Sequence, residues 1–549
     1  MSHNAVTQEK RDNRSTSTGL TITKQLAEYL FAVVAVILCV WVTFYAQDGF
    51  RQIGVAKFTA YRNIMMAGCT VLLVMMVPYF FFFLREYGKL RISVTDGCVM
   101  VYLLLCGISV ISGGFYQDAL WGYPGWNMGF LSQLSFVLLY LFASRFGKNY
   151  RVILAVLCVT ACIVYVLGIL HRLLIDPIGF YEGLTDWQKT QFLSTLGQAS
   201  WYGSFLAVTL PMGMGMFLYT DRKILRILCG IFMTLGFCTL VTQNSDSAYF
   251  ALAGALIVFL MICVGERQLM CRFLGTLTLL FASGKVMYFL MQVHPNPEFE
   301  ADFVTNFMWT SGVTWALLVI CLPATIALYA MQVKTGPRKY PKAVVRRLRR
   351  AVPVTVTAVI VGLILIIILQ TRGALPKSIS DRLADVPYLT WHNEWGNGRG
   401  RIWKFSMKMF VEAKPRHKLF GVGPDCFHSY VAARYSEEQA LYWGNRQLTN
   451  AHNEWMTSLV NAGILGTAAY LGIYVTAIKR FCRMQHRNLL LAGIAAACVS
   501  YMCYNLFCYQ QVLCTPFIFL LMGIGEYIVR ETDERKSGQA VVDKTLLNG

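Results

Sequence analysis

The chain has 549 residues, a formal charge of +20, and 56% hydrophobic residues with a positive mean hydropathy. That composition is too apolar for a soluble protein, and runs such as "LFAVVAVILCVWVTFYA" and "VTAVIVGLILIIILQ" approach bilayer-spanning length. Nucleic acid binding, which a charge of +20 invites, is excluded by where the charges fall: they concentrate in short loops on one side of the expected membrane.

In chain order, residues 1–24 form a polar tail expected in the cytoplasm. No cleavable leader is expected, because the first apolar run follows that tail and is itself long enough to span. Residues 25–370 read as about eleven membrane helices, residues 452–529 as three more, and residues 530–549 as a cytoplasmic tail. The expected fold class is therefore all-α, a polytopic membrane protein of about fourteen spans with one large extracytoplasmic loop. With the N-terminus inside, "REYGKLR", "SRFGKNYR", "TDRKILR", "GERQLMCR", "KTGPRKYPKAVVRRLRR" and "KRFCRMQHR" all face the cytoplasm, as the positive-inside rule requires. "VVRRLRR" reads as an anchor on anionic lipid. The seventeen cysteines lie mostly singly in apolar runs without metal-ligand spacing, and only Cys508 and Cys514, flanking the last outer turn, are placed to pair.

One connection is long. Residues 371–451 exceed an ordinary loop, and such segments are commonly functional or a small subdomain. "RIWKFSMKMFVEAKP" and "EEQALYW" have helical spacing, and "LFGVGPDCF" supplies turn chemistry between them. Three further outer segments are placed to face the same site: the aromatic "GGFYQDALWGYPGWN" (113–127), the 171–200 stretch, and the acidic "HPNPEFEADF" (294–303). The aromatics Trp121, Tyr123, Trp126, Trp391 and Trp395 read either as an interfacial belt or as sugar-stacking surfaces. Glu298, Glu300 and Asp302 read as a solvated acidic loop.

The order "NGRGRIWKFSMKMF", "LFGVGPDCF", "AHNEWMTSLVNAGILG" resembles the O-antigen ligase and O-antigen polymerase superfamily of bacterial surface-polysaccharide enzymes. The matching positions are Gly398, Arg399 and Trp403; Gly421, Gly423 and Phe427; and His452, Asn453, Gly463 and Gly466. The resemblance covers about residues 396–470. It implies a multi-pass glycosyltransferase of the bacterial cytoplasmic membrane, acting at its outer face with both termini inside. Its partners would be an undecaprenyl-diphosphate-linked oligosaccharide donor, a glycan acceptor, membrane lipids and other polysaccharide-assembly proteins. No nucleotide sugar, cofactor or metal is expected; no Asp-x-Asp pair stands on an outer segment.

The residue chemistry fits independently. A departing diphosphate needs its growing charge stabilised, and the guanidinium forks of Arg399 and Arg401 suit that. The acceptor hydroxyl needs a base near neutral pH, which histidine supplies. "HNEW" occurs twice, at His392 and His452. His452 stands where the chain re-enters the bilayer, in the first turn of a packed helix, and is the expected base. His392, before the loose "GNGRG", is left to line the acceptor groove. Glu454 reads as a favourable acid of a helix's first turn.

The family's Ser-Arg at the outer end of an earlier span is missing here. Asp246 in "TQNSDSAYFALAGAL" takes that place, either as a helix N-cap or as part of the site. Lys285 in "FASGKVMYF" is either a functional intramembrane charge or a snorkelling one. Asp48 offers a weaker, carboxylate-based alternative. The rival reading, a transporter of polysaccharide or lipid-linked oligosaccharide, favours inverted repeats and broken midplane helices; the sequence shows no such repeat, and transport does not need the large outer loop.

Overall fold

The computed structural model describes residues 2–87, 92–384, 386–484, 488 and 490–547, the side chains of residues 2–17, 86–87 and 534–547 excepted. Parts of the basic loops "REYGKLR" and "KRFCRMQHR", and the ends of both expected tails, lie outside the described residues. Among the described residues the structure is predominantly helical, with one two-residue strand pair, Phe192–Leu193 against Gly197–Gln198.

Among the described residues, eleven segments are long and apolar enough to cross a membrane. That is fewer than the fourteen expected; one of them, Phe130–Arg172, is divided by a 3-10 turn, Gly147–Asn149, into Phe130–Phe146 and Tyr150–Arg172. Leu490–Tyr504 is apolar but only 15 residues long, and Thr515–Leu547 carries charge along its second half.

The C-terminal helices occupy the centre. Leu490–Tyr504 packs against Ala199–Tyr219 and Asp246–Cys263, and Thr515–Leu547 against Phe130–Phe146. Lipid tails are as apolar as leucine, so association depends on close backbone approach at small residues. The sequence "LLAGIAAAC" permits that: a Cβ placed on Gly215 would come 2.7 Å from the Cα of Gly493. Gly312–Thr335 and Lys342–Thr371 lie at the periphery, their apolar faces almost entirely uncovered.

The two ends of the bundle differ. At one, Asp96 accepts Arg145 at 3.2 Å and also binds Arg530, while Glu526 pairs with Arg480 at 2.9 Å. At the other, residues 371–451 fold as a cap containing the helices Lys377–Ala384, Trp395–Glu412, Pro415–Phe420, Phe427–Arg434 and Ser436–Trp443. The cap has its own apolar core of Ile402, Phe405, Met409, Phe427, Val431 and Leu448. The helices expected from "RIWKFSMKMF" and "EEQALYW" are both present.

Candidate active site

Two glycines explain how the cap is fixed to the bundle. The helix Glu454–Met484 is broken at Gly463, at φ +69°. Its freed carbonyls receive the glycine turn: Val422 N donates to Val460 O at 3.1 Å, and Gly423 N to Asn461 O at 2.9 Å. A Cβ on Gly421 would lie 2.2 Å from Asn461 O, and one on Gly463 2.4 Å from Leu419 O. Backbone meets backbone at these two positions, so Gly421 and Gly463 are steric requirements. Ser109 completes the joint, donating to Asn461 O at 2.5 Å and accepting Gly423 N at 3.0 Å.

Between cap and bundle lies a cleft of about 1330 Å³. Residues from all three further segments expected to face the site line it: Trp126; Trp187, Thr190 and Gln198; and Glu298, Glu300 and Asp302. Of the aromatics singled out in the sequence, Trp126 and Trp395 face the cleft. Trp391 stacks behind on Trp395 and Trp403, Tyr123 packs on His428, and Trp121 is exposed.

Arg399 and Arg401 both line the cleft. Gly396, Asn397 and Gly398 all take positive φ, so the regular helix begins at the arginines. Arg399 donates to Gly396 O at 2.7 Å and to Phe507 O at 3.1 Å, and its Nε has no hydrogen-bond partner among the described residues. Arg401 donates to Tyr442 O at 3.1 Å and pairs with Glu394.

His452 reaches the same cleft, but not from a helical turn as expected. It precedes the helix, at φ +46°, a strained setting for a residue with a Cβ. Its amide donates to Asn450 Oδ1 at 2.9 Å. Asn453 then caps the helix, its Oδ1 accepting Trp455 N at 3.0 Å and Met456 N at 3.1 Å. The imidazole stands edge-on to Tyr509, and its nitrogens have no hydrogen-bond partner among the described residues. Burial first, then the charges of Arg399 and Arg446, push its pKa down to about 4. The imidazole is therefore neutral at pH 7.

His392 is exposed and outside the cleft lining. Lys285 is likewise outside it, donating to Trp309 O at 2.6 Å and Thr314 Oγ1 at 2.7 Å. Those contacts tie a helix end internally, so the side chain does not snorkel. Asp48 is exposed beside Arg51, at 3.9 Å. Cys508 and Cys514 are free thiols.

Asp246 lines the cleft, but the N-cap of its own helix is Ser245. Its carboxylate serves a neighbour instead, accepting Val304 N at 3.0 Å at the start of helix Phe303–Thr310, and Tyr388 Oη at 2.5 Å. Glu298 and Glu300 are exposed, as a solvated acidic loop requires, and together with Asp302 they line the cleft wall. Burial, then the adjacent Asp246, raises the Asp302 pKa to about 6, opposed by Arg399. Glu454 is buried and accepts Gln510 N at 2.7 Å, so it is more than a first-turn acid. Among the described residues, no group of three or more His, Cys, Asp or Glu is arranged to hold a metal ion.

Sequence reading missed Arg446 and the turn 505–511. Arg446 sits in an unremarkable loop. "NLFCYQQ" carries no motif beyond its aromatics.

Residues 303–471 match the family model described as O-antigen ligase. The match begins before the motif region, at the helix that Asp246 caps, and ends past Gly466. No curated protein matches the chain.

Proposed function

From the chain's place in the O-antigen ligase and O-antigen polymerase superfamily, given by residues 303–471, we propose a glycan transferase working from undecaprenyl diphosphate. The helices long and apolar enough to span fit a multi-pass membrane protein, and the family match fits a glycosyltransferase-like enzyme. In this proposal the chain crosses a bacterial inner membrane about fourteen times, with both termini in the cytoplasm and the cap 371–451 outside.

The observation that carries the reading is that Arg399, Arg401 and a neutral His452 share one aromatic-walled cleft. The acceptor sugar's hydroxyl oxygen attacks the anomeric carbon. The bond from that carbon to the diphosphate oxygen breaks on the opposite face, inverting the centre. His452 takes the hydroxyl proton, and the diphosphate leaves with the bonding electron pair. Arg399 and Arg401 stabilise the charge that grows on it. No nucleotide sugar or metal takes part in this scheme.

The cleft exceeds the ~300–1,000 Å³ of sites for small ligands, and its volume of about 1330 Å³ suits more than one sugar unit. The favoured reaction is therefore polymerisation, with one lipid-linked glycan as donor and another as acceptor. Purified protein given only undecaprenyl-diphosphate oligosaccharide should build a ladder of longer lipid-linked products. Transfer only after a foreign acceptor is added makes the enzyme a ligase. Loss of the ladder in EDTA overturns the metal-free scheme.

A further inference from the structure

The turn between Leu490–Tyr504 and Thr515–Leu547 touches both proposed catalytic groups. The carbonyl of Phe507 receives Arg399 at 3.1 Å. The ring of Tyr509 stands edge-on to His452, centroids 5.3 Å apart, and edge-on to Trp126 at 4.6 Å. A buried turn of this kind needs partners for its backbone groups.

Two of those partners come from one residue. Glu454 N donates to Asn505 O at 2.8 Å, and the Glu454 carboxylate accepts Gln510 N at 2.7 Å. Glu454 thus grips the turn near both ends while following His452 by two positions. It is 5% exposed. Behind it is a small chamber of about 50 Å³, lined by Gln133, Asp425, Asn461, Tyr509 and Gln510, with no lysine or arginine in its wall. Tyr509 and Trp126 form the partition between chamber and cleft. Asn453 already caps the helix, and no basic residue lines the chamber, so neither capping nor an ion pair accounts for the carboxyl.

We infer that Glu454 is a positioning residue: by clasping residues 505–510 it holds the Phe507 carbonyl on Arg399 and the Tyr509 ring on His452. The role rests on the transferase reading. Misplacement of reacting groups by about 1 Å costs on the order of 10²-fold in rate, so the clasp matters through geometry. A glutamine retains an acceptor oxygen at the same reach; alanine removes it, and aspartate is too short.

The test uses full-length protein with Cys508, buried in the turn, as its single cysteine. Glu454→Gln should keep transfer within about threefold and leave Cys508 protected from a small permeant thiol reagent. Glu454→Ala should lower kcat/KM by about 10- to 100-fold and speed Cys508 labelling at least tenfold. Its donor KM should rise as Arg399 loses its register, and kcat should fall as His452 loses its own. If Glu454→Ala does not fold, Glu454→Asp is read in the same way. Protected Cys508 in the alanine or aspartate variant overturns the clasp. A glutamine variant as impaired as alanine, with Cys508 still protected, makes charge the essential property and overturns positioning. No transfer by the otherwise unmodified protein overturns the catalytic reading, while labelling still decides whether Glu454 holds the turn.

Discussion

The phenol of Tyr388 donates a 2.5 Å hydrogen bond to Asp246 across 142 residues, fastening the cap to the helix Asp246–Cys263. The other oxygen of Asp246 caps the helix that Asp302 precedes. One wall of the cleft is thus a carboxyl pair held by a tyrosine, facing arginines on the other.

A pH dependence follows for Asp302. Its folded pKa of about 6 exceeds the ordinary 3.8, because burial and then Asp246 favour the protonated form. Between those values the fold holds more protons than the unfolded chain, so stability falls as pH rises. Asp302→Asn should lack that loss. Thermal midpoints measured from pH 4 to 7 should show the variant gaining on the native protein with rising pH; parallel curves would refute the assignment.

The two "HNEW" copies should behave unequally. His452→Ala should lower transfer by about 10²- to 10⁴-fold, the range for removing a general base, while donor binding persists. His392, exposed and outside the cleft, should cost little as alanine. Comparable losses at equal expression would separate the family motif from the role given to it.

The imidazole's basicity should depend on the donor. Arg399 and Arg446 contribute to holding its pKa at about 4. A bound diphosphate offsets their charge, so the pKa rises on donor binding and the base strengthens as the Michaelis complex forms. The acid limb of kcat/KM should lie near pH 4, and that of kcat distinctly higher. Coincident limbs would remove the electrostatic link between clamp and base.

Arg399→Lys keeps the charge but loses the planar fork, so it should impair turnover clearly. Arg399→Ala should weaken donor binding and slow the chemical step as well, since charge on the diphosphate grows in the transition state. Arg401 is partly engaged by Glu394, so its alanine variant should lose less. Full activity in Arg399→Ala would remove the clamp from the mechanism.

The faces of the membrane are open to a direct check. Ser436 in the cap and Lys342 in the basic helix are both exposed. An impermeant thiol reagent, in a cysteine-reduced background, should label Ser436→Cys and spare Lys342→Cys. Labelling of Lys342→Cys from outside reverses the topology and puts the cleft in the cytoplasm.

Hydropathy and charge are local quantities, so the sequence by itself determined the helical membrane class, the cap at 371–451 and the short helices within it. It also singled out Gly421 and Gly463 through the family resemblance, because an absent Cβ is written in the chain even when its reason is not. What the glycines do, seating one backbone on another, became visible only in three dimensions. The same holds for Asp246: an acid beside Ser245 looks like its own helix's cap, and only folding puts Val304 and Tyr388 against it. Phe507 meets Arg399 across 108 residues, and Gln510 meets Glu454 across 56. Such contacts are made through backbone carbonyls and amides, which every residue carries alike. No side-chain pattern announces them, and the tertiary packing of the last two helices alone decided where they fall.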